Sequence, residues 1–115
     1  MKPSKVVKPW GFELLWAYTD RYAGKILHID PGHRLSLQYH NSKDETLYLL
    51  NGRMQLELED DGGALVQHIV AAGESFRVPA GRRHRLHALE ECHVLEASTP
   101  ELDDVVRIHD EYGRV

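Results

Sequence analysis

Four polar residues have the types and spacing of a metal site: Gln38, His40, Glu45 and His84. Gln38 and His40 stand two apart in RLSLQYH (Arg34 to His40), and on a strand of period two both side chains leave the same face. The NSKD segment after it reverses the chain, and Glu45 opens the next apolar run, TLYLL. An amide oxygen, an imidazole and a carboxylate can thereby meet between neighbouring strands. His84 supplies a fourth group, because GESFRVPAGRRHRLHA (Gly73 to Ala88) reads as a strand, a Pro-Ala-Gly turn and a second strand beginning near His84. Two imidazoles, one carboxylate and one neutral oxygen would leave a divalent ion with net positive charge and an open position, where it acts as a Lewis acid. Zinc is the favoured ion, with manganese, iron, cobalt and nickel also compatible with these ligands.

Short strands must position these groups. A chain of 115 residues with 42% hydrophobic content is one domain with one core. WGFELLWAY, AGKILHIDPG, RMQLELED, ALVQHIV and CHVLEAS each alternate or read as strands between Gly, Pro and Asp turns. Together they imply roughly nine strands in an all-β barrel or double-sheet jelly roll. In RMQLELED, Met54, Leu56 and Leu58 are expected to face in and Gln55, Glu57 and Glu59 out. Residues 1–9, with three lysines, two prolines and no acid, read as a flexible N-terminal arm to a domain over 10–115. The tail, 101–115, has a short helical or irregular look.

The net charge of −4 speaks against a nucleic-acid surface, which needs a basic field. The single cysteine, Cys92, forbids an internal disulfide and fits a reducing compartment. No apolar run is long enough to cross a membrane as a helix. The expectation is a cytoplasmic protein with no nucleic-acid or membrane partner. Leu35, Leu37 and Tyr39, on the face opposite the ligands, are too apolar to leave in water and point to a homodimer.

The spacing Gly32, Gln38, His40, Glu45, Gly52 resembles the first cupin motif with Gln in place of its first His, and Gly73, Pro79, Gly81, His84 resembles the second. The usual trailing Asn of the second motif is replaced by Ala88. The Gln-x-His pairing, KPWGFELLW (Lys8 to Trp16) and DDVVRIHDEYGR (Asp103 to Arg114) look like the cupin domain of type II mannose-6-phosphate isomerases, which often forms the C-terminal half of bifunctional mannose-1-phosphate guanylyltransferases. This resemblance implies a cupin double-stranded β-helix, a jelly-roll barrel. It also implies metal-dependent interconversion of an aldose phosphate and a ketose phosphate through an enediol, with a sugar phosphate as partner. Thr46-Leu47 stands where His-Trp is usual in that family, so the surroundings of the site differ.

Such a reaction needs an electrophile, a base and a cationic phosphate clamp. Arg34, four residues before Gln38, would share its face about 13 Å away at about 3.3 Å per residue. It is the first candidate for the clamp, with Lys25 and Arg114 as further substrate-binding candidates. Arg82, Arg83, Arg85 and Arg107 read as solvated residues. Glu96, a carboxylate in the apolar strand VLEA, and His28, in KILHI, are the candidate bases. Two other readings stay open: a non-catalytic metal- or sugar-binding cupin module, and an iron-dependent cupin oxygenase. A polar pocket above the metal, lined by an arginine and a carboxylate, would favour the isomerase.

Overall fold

The computed structural model describes residues 2–115; Met1 lies outside the described residues. Eleven strands follow in order: β1 Ser4–Lys8, β2 Gly11–Tyr18, β3 Ala23–Ile29, β4 Leu37–Tyr39, β5 Glu45–Asn51, β6 Arg53–Glu59, β7 Leu65–Ala71, β8 Ser75–Val78, β9 His84–Ala88, β10 Cys92–Ser98 and β11 Val106–His109. They form a six-stranded sheet, β1-β2-β3-β10-β5-β8, and a five-stranded sheet, β11-β4-β9-β6-β7. Strands remote in sequence become neighbours, as in β3-β10-β5, and every pairing is antiparallel. This is an all-β jelly roll without a helix among the described residues.

Alternation builds the core. In β5, Glu45, Leu47 and Leu49 are buried while Thr46, Tyr48 and Leu50 are exposed, and in β6 Met54 and Leu56 are buried. Ile29, Leu47, Leu49 and Val94 of one sheet thus pack with Met54, Leu56 and Leu86 of the other. Because Glu45 shares its parity with Leu47 and Leu49, the packing that buries those leucines also drives a carboxylate inward.

Two ends differ from the sequence reading. Ser4–Lys8, expected within a flexible arm, pairs residue for residue with Gly11–Leu15 as an edge strand. Val106–His109, expected to be helical or irregular, pairs with β4.

Gly52, the one residue between β5 and β6, has φ +93°, and a Cβ there would come 2.3 Å from the Glu91 carbonyl oxygen. Gly52→Ala should therefore destabilise the fold by on the order of 2 kcal/mol or more, since the left-handed conformation alone costs about 1–2 kcal/mol. A urea midpoint unchanged from wild type would contradict this.

Candidate metal centre

The end of β4, β5 and β9 bring three of the four expected ligands together. Glu45 Oε1 lies 3.4 Å from His40 Nε2 and 3.4 Å from His84 Nε2, and all three side chains are buried. The ligand atoms of this triad lie within 4.8 Å of one another. Each imidazole is oriented from behind: His40 Nδ1 donates to the Asp104 carbonyl oxygen at 2.5 Å, and His84 Nδ1 donates to the Arg82 carbonyl oxygen at 2.9 Å. Both Nε2 atoms therefore point at Glu45 Oε1, where each donates to the carboxylate when protonated and offers a lone pair to a cation when not. His40 Nε2 is buried and has no hydrogen-bond partner among the described residues. Gln38 sits directly across from His84 in register, its Oε1 accepting from Ser36 Oγ at 2.6 Å. An orphaned imidazole nitrogen, a second in the same tautomer and a carboxylate oxygen are a donor set that fits a divalent cation.

Lys43, which the sequence reading passed over, completes the electrostatics. Its buried Nζ lies 3.2 Å from Glu45 Oε2 and 3.1 Å from Glu96 Oε2. It occupies one oxygen of Glu45 and leaves the other to the imidazoles. Burial works against the charge on Lys43, yet Glu96 and Glu45 outweigh it and raise its pKa above the usual lysine value. Burial also disfavours ionised Glu45, but its contacts with His40 and His84 and the charge of Lys43 hold its carboxyl well below the ordinary range. For Glu96, burial and then the charge of Glu45 prevail over Lys43 and push the carboxyl up to about 7. Two carboxylates a few ångströms apart are thus set to different protonation states. The signal for Lys43 was its place two residues before Glu45, the same-face spacing already used for Gln38 and His40.

The loop carrying Lys43 is tied down by Asp104, whose carboxylate accepts from the backbone N–H groups of Asn41, Ser42 and Lys43 at 2.7–2.9 Å. These three bonds lower its pKa to about 2. A carboxyl lowered on folding stabilises the fold above its unfolded value, near 3.8, and that contribution is lost as pH falls toward about 2. Asp104→Asn should flatten the acid limb of the stability curve between those values; an unaltered limb in chemical denaturation at pH 2–4 would contradict it.

A cavity of about 330 Å³ opens above the triad, lined among others by Glu13, Lys25, Gln38, Glu96, Arg107 and Arg114. Lys25 pairs with Glu13 at 3.1 Å, and Arg114 is held by both carboxylate oxygens of Asp110. Glu96 and Lys25 are direct cross-strand neighbours on β10 and β3. Arg107, Gln38 and His84 form one row across β11, β4 and β9, and Arg107 Nε is buried with no hydrogen-bond partner among the described residues.

Two expected site residues lie elsewhere. Arg34 is absent from the cavity wall and faces Glu111 at 3.5 Å. Arg34 bridges His87 while Gln38 pairs with His84, so four steps on one strand oppose three on the other. The extra residue reverses parity, as a bulge does, and turns Arg34 away from the ligands. The same slip carries Leu35 into the cavity wall and against the core, and Leu37 and Tyr39 are half-buried, so the apolar face expected for a dimer is not one exposed surface. His28 alternates with the buried Leu27 and Ile29 and lies on the outer face of β3, away from the cavity. Of the other arginines, Arg82 and Arg83 hold the β6–β7 turn through Asp61 and Glu59, and Arg85 donates to the Leu35 and His109 carbonyl oxygens.

A double-sheet β jelly roll with two histidines and a glutamate directed inward defines a β-barrel class with a candidate cation site between its sheets. The family described as Cupin domain matches residues 25–98, and the chain belongs to it. It is 32% identical over 116 residues to mannose-1-phosphate guanylyltransferase of Escherichia coli (strain K12), covering 96% of this chain and 23% of that protein. It is 31% identical to xanthan biosynthesis protein XanB of Xanthomonas campestris pv. campestris (strain B100), over 96% of this chain and 24% of that one. The chain thus spans about a quarter of the length of the curated relatives it matches. Among solved structures, KdgF from Halomonas sp. superposes with TM-score 0.76 at 22% identity, covering 90% of this chain and 91% of that one. Oxalate decarboxylase from Bacillus subtilis superposes with TM-score 0.80 at 17% identity over 98% of this chain and 32% of that one. Both likenesses support the fold. No helix among the described residues is long and apolar enough to cross a membrane.

Proposed function

We propose that the chain is a metal-dependent isomerase that interconverts an aldose phosphate and a ketose phosphate. The observation that carries this reading is the row Arg107–Gln38–His84 facing the Glu96–Lys25 pair across the cavity, which sets an anion site, a cation site and a carboxyl of pKa about 7 around one small volume. A cavity of about 330 Å³ is at the small end of the range for small-molecule sites, roughly 300–1,000 Å³, and suits a monosaccharide phosphate. The likeness to mannose-1-phosphate guanylyltransferase and XanB supports a hexose phosphate as the substrate class.

Gln38, His40, Glu45 and His84 would hold one divalent ion, zinc first among the candidates. Bound there, the ion supplies positive charge that polarises a sugar oxygen. The chain's own groups do the rest. Ionised Glu96 takes the proton from C2, and the electron pair forms the C1–C2 double bond of an enediol. The C1=O π pair moves onto O1, which takes up a proton; protonated Glu96 then returns its proton to C1 as the O2 hydroxyl proton leaves, so the two protons lost from C2 and O2 are matched by those gained at C1 and O1 in the ketose. Lys43 holds Glu96 and Glu45 in place and offsets their charge. Arg107, half-buried with its Nε desolvated and lacking a partner among the described residues, takes the phosphate role first assigned to Arg34, with Lys25 and Arg114 beside it.

The test is a coupled isomerase assay of the zinc-loaded chain on mannose 6-phosphate and a panel of other phosphorylated aldoses. Turnover of at least one is expected, and Arg107→Ala should raise KM for it by roughly tenfold or more, the loss of a charge-assisted contact. Saturable sugar-phosphate binding without turnover would instead support the non-catalytic module.

A further inference from the structure

We propose a second cation site on the outer face of the barrel, built by His28, Glu91 and His93 and suited to zinc. It is independent of the isomerase reading. The ligand atoms of these three residues lie within 4.8 Å of one another, on the side of β3 and β10 opposite Lys25 and Glu96.

Hydrogen bonding fixes both imidazoles in the form a cation needs. His93 Nδ1 lies 2.7 Å from Asn51 Oδ1, which also accepts from the His93 backbone N–H at 3.1 Å, so this Asn51 atom is the acceptor and His93 Nδ1 carries a proton. His28 Nε2 faces the Asp30 carboxylate at 3.2 Å and is likewise the protonated nitrogen. The inner pair, His28 Nδ1 and His93 Nε2, are then two lone pairs facing each other at 2.8 Å. Two neutral acceptors at that distance repel unless a positive charge lies between them. Two nitrogens bound tetrahedrally to zinc at about 2.0–2.1 Å stand roughly 3.4 Å apart, so a small opening of the pair admits the ion. Each ligand imidazole would keep its outer N–H on an oxygen acceptor, the arrangement that raises imidazole basicity.

The site is also built into the fold. Phe12, His28, His93 and Asn51 form one cross-strand row over β2, β3, β10 and β5. The Phe12 ring stacks on His28 at 4.8 Å and 4°, which fixes the imidazole plane. A register shift between His93 and Val94 sets Asn51 opposite His93. Gly52, against the Glu91 carbonyl, brings the turn carrying the third ligand close. Exposed Glu91 leaves the fourth position open to solvent or to an outside ligand.

Titration of the metal-free full chain with zinc alone, in competition with a chromophoric chelator, tests this. Two equivalents are expected for wild type and one for His93→Gln, with Glu91→Gln weakening the same equivalent by roughly tenfold or more. Imidazole nitrogen NMR of the wild-type chain gives a second readout: zinc should shift the inner nitrogens of both His28 and His93. Unchanged stoichiometry in His93→Gln, or ring nitrogens that zinc does not move, would mean that a shared proton alone occupies the pair and would overturn the proposal. Failure of the barrel centre is distinguishable, because wild type and His84→Ala would then each bind one equivalent and His93→Gln none.

Discussion

Glu96→Gln should lower kcat on a phosphorylated aldose by about 10²- to 10⁴-fold, the range lost with a positioned general base. The amide keeps the volume of the side chain and cannot accept a proton. Because burial and Glu45 place this carboxyl at about 7, activity in the wild type should rise with pH through that value and be lost below it, where Glu96 is protonated. Residual activity in the variant should lack that limb. If Glu96 served only to hold Lys43, the variant would lose stability and keep the pH profile of its turnover. A Glu96→Gln chain with near wild-type kcat and the same profile would remove Glu96 from the chemistry.

His40→Ala and His84→Ala should each abolish tight metal binding at the barrel centre and all turnover, while the β circular dichroism of the fold persists. Each removes one of two imidazoles whose Nε2 atoms converge on Glu45. For wild type, metal at about 100 times its dissociation constant adds about 2.7 kcal/mol. At roughly 4 °C per kcal/mol for a domain of this size, that raises Tm by about 10 °C. The increment should shrink sharply in His84→Ala, and the variant should keep the zinc equivalent of the outer site. An equal rise in Tm in both chains would show that the barrel triad does not hold the ion.

Much of this site was readable from residue order, for a physical reason. Where a strand lies between two buried layers, period-two alternation is enforced by the core, so Glu45 could be placed inward from Leu47 and Leu49, and CHVLEAS gave β10 with the buried Glu96. The turn at Pro79–Gly81 delivered His84 to the start of β9 as its spacing implied. Arg34 failed because parity counts only along an unbroken strand, and the added residue between the Arg34 and Gln38 pairings is not marked by a Gly or Pro. Edge strands β1 and β11 failed because each is stabilised on one side by a partner rather than by a buried face of its own, so neither carries the hydrophobic pattern. Arg107 became visible only once β11 was known to lie beside β4. The His28–His93 contact joins residues far apart in the chain and leaves no periodic signal, so residue order alone gave His28 only as a candidate base.

The most direct measurement is anomalous diffraction at the zinc edge from crystals of the chain grown with zinc. The account predicts a peak bounded by His40 Nε2, His84 Nε2 and Glu45 Oε1, at about 2.0–2.2 Å from each, with Gln38 beside it. A full data set with no peak at that position, while the three side chains keep their inward orientation, would contradict it.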